Sequence, residues 1–215
     1  RMAKVNALIF DLGGVILNLD QDKTLRAFNR MGANLEELNL ASTVFTDFET
    51  GKLSEDDFRQ VLKTALHGRF DDAQIDHAWN AMLLDIPRKR IELLIKLRKH
   101  FRIHLLSNTN SIHITYFHEW FNQHFGSEYS WNELFDTIFY SHEIGLRKPT
   151  AACYEYVLNA INESAEKCVF IDDSHINIRG AESLGIRTLW AKEPLNETML
   201  HQLKAVITSE TPYLN

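Results

Sequence analysis

Five short apolar runs punctuate the chain: Val5–Phe10, Ile103–Ser107, Thr137–Ser141, Cys168–Asp172 and Arg187–Ala191. Most are nearly continuous in Val, Ile, Leu and aromatic residues rather than alternating with polar ones. A strand that is apolar on both faces needs cover on both, which is the condition of a parallel sheet flanked by helices. The stretches between the runs supply those helices. Arg88–His100 sets Ile91, Leu94 and Ile95 at helical spacing, with Pro87 suited to a first turn. Ser111–Phe125, Thr150–Ile161 and Asn177–Leu184 also read as helices, and Gly185 is a natural terminator. Alternating strands and helices with short links predict an α/β fold with a doubly wound, Rossmann-like parallel sheet.

One region departs from that rhythm. Asp20–Leu84 carries no convincing strand but has amphipathic patterns over Thr24–Met31, Asn34–Phe45, Ser54–Leu66 and Asp72–Leu83. Ser54 followed by Asp57 is a helix-opening arrangement, because a hydroxyl and an acid both serve the free amides of a first turn. The expectation is a small all-helical cap, residues 18–84, inserted after the first strand of an α/β core formed by residues 1–17 and 85–215. A length of 215 residues suits one core with a modest appended unit.

Composition narrows the function classes. The chain is 45% hydrophobic and 24% charged, ordinary for a soluble globular protein. Its net charge is −6, with no run of Lys or Arg, which argues against nucleic acid as a partner. No window approaches the ~18 uncharged apolar residues of a membrane span, and no charged-then-apolar leader is present. Cys153 and Cys168 form no metal-type spacing and read as small buried apolar residues. A reducing cytoplasm is the expected compartment.

Four stretches carry chemistry, each at or just beyond the C-terminal end of an expected strand, where open parallel sheets bind ligands. Ala7-Leu-Ile-Phe-Asp11-Leu-Gly13-Gly14-Val15 puts a carboxylate at the sheet edge, followed by a loop whose backbone can approach a ligand closely. Taken alone it is equally a helix cap or turn acid. Ile103-His-Leu-Leu-Ser107-Asn108-Thr-Asn110 offers a hydroxyl, amides and free backbone N–H groups to an anion, or simply caps the next helix. Gly145-Leu-Arg-Lys148-Pro149 projects a compact cation ahead of a helix, where a lone Lys is usually solvated surface. Val169-Phe-Ile-Asp172-Asp173-Ser-His-Ile-Asn177 sets two carboxylates side by side. Their repulsion calls for compensation, most simply by a hard cation with oxygen ligands; the plainer reading is one helix cap and one solvated acid.

The order and spacing of these four stretches resemble the haloacid dehalogenase superfamily over nearly the whole chain. The resemblance is nearest to small bacterial sugar-phosphate phosphatases of the glucose-1-phosphate phosphatase kind. It implies a Mg²⁺-dependent phosphatase acting on a small phosphorylated metabolite, with Asp11 as nucleophile forming an aspartyl-phosphate that water then hydrolyses. It implies that Asp11, the carbonyl of Gly13 and Asp173 hold the Mg²⁺. Asp172 is then either a further ligand or a partner of one. Ser107, Asn108, Lys148 and the Gly14 loop grip the phosphoryl group. Charge counting agrees, since a phosphate ester of about −1.5 to −2 must approach several carboxylates.

One position departs from the family pattern. Most phosphatases of this superfamily place a second Asp two residues after the nucleophile as general acid and base, and here that residue is Gly13. General acid–base help is typically worth about 10²–10⁴-fold, so the expectation is slow turnover of alkyl phosphates. Two rivals stand beside this reading: a metal-free 2-haloacid dehalogenase, and a phosphate-compound binding protein with little turnover. His118 and His124 lie six apart rather than four, on different helix faces, and make a poor zinc site. His175 is expected as a cap or surface residue, and Asn177 as an organiser of the last loop. The aromatic cluster from Tyr116 to Trp131 reads as a buried helix face, with a homodimer contact as the alternative; monomer or homodimer remains open.

Overall fold

The structure is a computed structural model that describes residues 3–208. Strands β1 (Ala7–Phe10), β2 (Arg102–Ser107), β3 (Thr137–Tyr140), β4 (Cys168–Asp172) and β5 (Arg187–Trp190) lie within two residues of the expected runs. They form one parallel sheet in the order β3-β2-β1-β4-β5. From β1 the chain builds outward through β2 and β3, then returns to the other side of β1 as β4. The switch point therefore lies between the C-terminal ends of β1 and β4, where a crevice opens in such sheets. Strand side chains divide between two cores. Leu8, Phe10, Leu105, Val169 and Ile171 pack on one face, and Ala7, Ile9, Leu106, Cys168 and Phe170 on the other. Cys153 and Cys168 are free and buried.

Between β1 and helix α6 (Arg88–Arg98) lie five helices: α1 (Gln21–Met31), α2 (Leu35–Ala41), α3 (Val44–Glu49), α4 (Glu55–Ala65) and α5 (Asp72–Asn80). Their apolar faces gather into a separate cluster around Phe28, Phe58, Leu62 and Ile75, joined by Ile112. Phe48 and Phe58 stack at 4.0 Å. Ser54 Oγ accepts from the Asp57 amide at 3.1 Å, as the capping pattern suggested, and Asp71 with Gln74 forms a reciprocal capping box. The segment expected as one helix over Asn34–Phe45 is two, because Ser42 is extended (φ −153°, ψ 169°). Its hydroxyl donates to the Leu38 carbonyl and accepts from the Val44 amide, offering the backbone an alternative to the helix ladder.

The helical segment leaves and rejoins the core along a narrow ribbon. Asn18 and Asp20 donate backbone N–H groups to the carbonyls of Asp85 and Met82, both at 2.9 Å, and Leu84 donates to Asn18. The remaining helices are α7 (Ser111–Phe125), α8 (Ser141–Ile144), α9 (Ala151–Ile161), α10 (His175–Glu182) and α11 (Glu197–Thr208). Helices α8 and α11 have no counterpart in the sequence expectations. In the aromatic cluster, Phe117, Phe121, Phe125 and Trp131 are buried while Tyr116 is exposed. No helix among the described residues is long and apolar enough to cross a membrane.

One core residue carries a prediction. His104, in mid-β2, is 2% exposed, and neither ring nitrogen has a hydrogen-bond partner among the described residues. Burial pushes its pKa below the usual imidazole value. A base with a depressed folded pKa contributes stability that is present above its unfolded value of about 6.5 and is lost as pH falls through the folded one. Replacing His104 with Leu should remove both the unsatisfied nitrogens, a cost of about 1–3 kcal/mol, and part of the acid sensitivity. Denaturant unfolding at pH 7.5 and pH 5 checks this: the variant should be the more stable at both, by a wider margin at the lower.

Candidate active site

The registers of β1, β2 and β4 bring the first, second and fourth stretches to one edge. Phe10 sits opposite Leu105 and Ile171, so Asp11 emerges between the ends of β2 and β4, beside Asp172. The Asp11 amide donates to the Ile171 carbonyl at 2.9 Å, which holds the residue in line with the strand.

Lys148 is the hub. It is 1% exposed rather than solvated, and its ammonium donates to Asp11 Oδ1 at 2.9 Å, Asp172 Oδ2 at 2.8 Å and the Leu106 carbonyl at 2.9 Å. Three acceptors use all three of its protons. Burial disfavours the charged ammonium, yet Asp11 and Asp172 outweigh it and hold the Lys148 pKa above its ordinary value. Asn108 fixes the same residue by its backbone: its side-chain amide donates to the Lys148 carbonyl at 3.0 Å, and its Oδ1 accepts from the Lys148 amide at 2.9 Å. The Asn108 side chain is thereby committed to positioning Lys148. Ser107 is buried, and its hydroxyl, with no hydrogen-bond partner among the described residues, lines a cavity.

The adjacent acids differ. Asp172 is fully buried; Oδ1 accepts from the Ser174 amide at 2.8 Å, and Oδ2 accepts from Lys148 and from Asn177 Nδ2 at 3.1 Å. Asp173 is exposed and lies over the Gly14 turn. Gly14 has φ +80°, and a Cβ there would fall 2.2 Å from Asp173 Oδ2, so only glycine permits this approach. The Gly14 amide donates to the Leu17 carbonyl at 2.9 Å, so it meets a phosphate only if that turn opens. Although its side chain reaches solvent, the partial desolvation of its carboxylate, and then the neighbouring Asp172, push the Asp173 pKa up. Asp11 is pushed up to about 7, mainly by burial, with Lys148 opposing.

One oxygen from each of Asp11, Asp172 and Asp173 lies within 4.8 Å of the others. When all three are ionised, one ammonium faces three carboxylates, leaving two negative charges uncompensated. An all-oxygen donor set of this charge fits a hard divalent cation. The histidines do not compete: His118 bonds the Tyr140 hydroxyl, His124 bonds the Trp120 carbonyl, and His175 stacks on Trp190 at 4.2 Å.

Beside this cluster lies a cavity of about 170 Å³ between the sheet edge and the helical segment. Gly13, Ser107 and Asn108 line it from below; Gln21, Glu49 and Trp79 line it from above. A larger hollow of about 800 Å³ between α1 and α5 contains none of these acids; charge rather than volume marks the site. The upper wall went unread in the sequence. Glu49 ends α3 as any helix acid might, and Arg147, which donates to it at 3.0 Å, stood next to a more conspicuous Lys. His113 also lines the cavity, bonded through Nδ1 to Asn80 and stacked on Trp79.

A doubly wound parallel sheet with a carboxylate at its switch point, a buried Lys beside it and paired acids on the next strand is the arrangement of a known class of hydrolases. Residues 5–185 match the haloacid dehalogenase-like hydrolase family, and the chain belongs to it. Among similar proteins, a D-ribitol-5-phosphate phosphatase of Bacteroides thetaiotaomicron is 27% identical over 86% of this chain and 90% of its own length. A sesquiterpene phosphatase, astK, of Aspergillus oryzae is 31% identical over 92% of this chain and 95% of its own length. A haloacid dehalogenase family enzyme of Bacteroides thetaiotaomicron, crystallised with magnesium and inorganic phosphate, superposes with a TM-score of 0.81 at 30% identity, covering 91% and 98% of the two chains.

Proposed function

We propose that the protein is a Mg²⁺-dependent phosphatase of a small sugar or polyol phosphate, working through Asp11. The observation that carries this is the buried Lys148 bridging Asp11 and Asp172, with Asp173 uncompensated at the rim. The magnesium and phosphate in the similar crystal structure, and the polyol phosphate named for a similar enzyme, support it. We take residues 18–84 as the cap domain that encloses the substrate.

In this reading an Asp11 carboxylate oxygen attacks phosphorus, the bond to the ester oxygen breaks, and that oxygen leaves with the electron pair. Water then attacks the phosphorus of the aspartyl-phosphate and restores Asp11. Lys148 favours the ionised form of Asp11 and orients it, and its charge faces the incoming phosphoryl oxygens together with the Ser107 hydroxyl and the Asn108 backbone. Asp11, Asp173 and the Gly13 carbonyl would hold Mg²⁺, with Asp172 behind them through Lys148. The ion supplies charge neutralisation for the phosphoryl oxygens.

Phosphate release from sugar phosphates, polyol phosphates and p-nitrophenyl phosphate, with chelator and then with added Mg²⁺, tests the proposal. Release that needs Mg²⁺ is expected. Halide release from 2-haloacids in the presence of chelator would overturn it. The two acids should separate in titrations of Mg²⁺. Asp173→Ala should weaken binding at least about tenfold with little change in melting temperature. Asp172→Ala should lower the melting temperature more, because it strips a fully buried acceptor from Lys148, Ser174 and Asn177.

With no side chain at Gly13, charge builds on the leaving oxygen, so log(kcat/KM) should fall steeply as leaving-group pKa rises. Gly13→Asp should flatten that slope. The Gly13 backbone lies outside the left-handed region, and the obstacle is Leu19 Cδ1, which a Cβ would meet at 2.4 Å. Leu19→Ala combined with Gly13→Asp removes that clash. A flat slope in the native protein, with phosphoryl transfer limiting, means that another residue supplies the proton.

A further inference from the structure

We propose that Glu49 is a specificity-determining residue, accepting hydrogen bonds from hydroxyl groups of the leaving group, so that phosphates of short polyhydroxylated carbon chains are favoured; this rests on the phosphatase reading above. Glu49 lines the 170 Å³ cavity above Ser107 and also a neighbouring hollow of about 500 Å³ between α1, α2 and α3. It therefore stands at the gate between the two. Arg147 fixes one of its oxygens, Oε2, at 3.0 Å, and among the described residues this is the one ion pair joining the helical segment to the core. The other oxygen, Oε1, has no hydrogen-bond partner among the described residues.

A half-buried carboxylate with one free oxygen gains from a donor and loses if an apolar group covers it. Burial already pushes the Glu49 pKa up despite Arg147, which marks the carboxylate as short of solvation. His113 adds a second acceptor. Burial pushes its pKa down to about 3, so the ring is neutral, and with Nδ1 donating to Asn80 Oδ1 at 2.8 Å its Nε2 is left as an acceptor. Gln21 completes the polar gate. An apolar chain passing here would strand Glu49 and Arg147 without water, whereas a chain of hydroxyls replaces that water group for group.

The test compares a pentitol 5-phosphate with n-pentyl phosphate, two primary alkyl esters that differ in their hydroxyls. The wild-type protein should prefer the pentitol ester. In Glu49→Leu the ratio of the two kcat/KM values should fall roughly 10–100-fold, chiefly through KM, and Glu49→Gln, nearly isosteric and still an acceptor, should lie between. An unchanged ratio in folded Glu49→Leu and Glu49→Gln overturns the proposal, as does a wild-type preference for the pentyl ester. Aryl phosphates without hydroxyls separate the other role: a steeper leaving-group slope in Glu49→Gln makes Glu49 the proton donor and overturns it. If the wild-type protein releases nothing from p-nitrophenyl phosphate with Mg²⁺, both this proposal and the phosphatase reading fall.

Discussion

Replacing Asp11 with Asn should abolish phosphate release, by on the order of 10⁴-fold or more, in a protein that still folds. An amide is a poor nucleophile toward phosphorus but matches the carboxylate in size, and its carbonyl oxygen can still accept from Lys148 and from the Leu12 amide, which now donates to Oδ1 at 2.8 Å. Asp172 remains to neutralise Lys148. The loss should therefore lie chiefly in chemistry, with binding of inorganic phosphate and Mg²⁺ retained in part. Single-turnover assays at high enzyme concentration check it: substantial turnover by folded Asp11→Asn removes Asp11 from the mechanism.

Lys148→Met should have the second largest effect, and it should strike stability and catalysis together. The substitution keeps an unbranched side chain of similar length in a fully buried position, so packing changes little. What it removes is the cation between Asp11 and Asp172. Breaking a buried ion pair by deleting one partner costs about 3–5 kcal/mol, because the remaining charge has nowhere to go. Asp11, already raised by burial and now without the opposing Lys148, then holds its proton to still higher pH than in the unfolded chain. The destabilisation should thus be full only above that raised folded value, and shrink as pH falls through it toward the unfolded one. Urea unfolding at pH 8 and pH 5 measures this, and an equal deficit at both pH values would mean that lost packing, rather than stranded charge, is the cause.

The strands were legible because strands covered on both faces must be apolar almost throughout, and Val5–Phe10 or Cys168–Asp172 admit few other readings. The core half of the site was legible for a related reason: Asp11, Ser107 and Asp172 sit where a strand ends, and strand ends are what periodicity locates best. The partnerships were not. Nothing local marks Asn108 as a clamp on the Lys148 backbone, since the two are 40 residues apart and meet through the β2–β3 register. Lys148 itself reads as surface until the sheet brings two acids to it. The break at Ser42 was missed because its hydroxyl competes with the helix through bonds that apolar spacing does not encode. Glu49 and Arg147 were invisible as a pair for the same reason as Lys148, with the added distance of a whole helical segment between them.

The ribbon that joins the helical segment to the core has a consequence for how such proteins diversify. Asn18 and Asp85 are hydrogen-bonded neighbours, so everything between them is a loop whose two ends are already closed. The closing entropy of a loop grows only slowly with its length, and the helices in between keep a hydrophobic cluster of their own. Insertions, deletions or a complete exchange of this stretch therefore leave the register of β1, and with it Asp11, where they are. A chain built this way can change what it admits to the cavity without touching what happens at phosphorus.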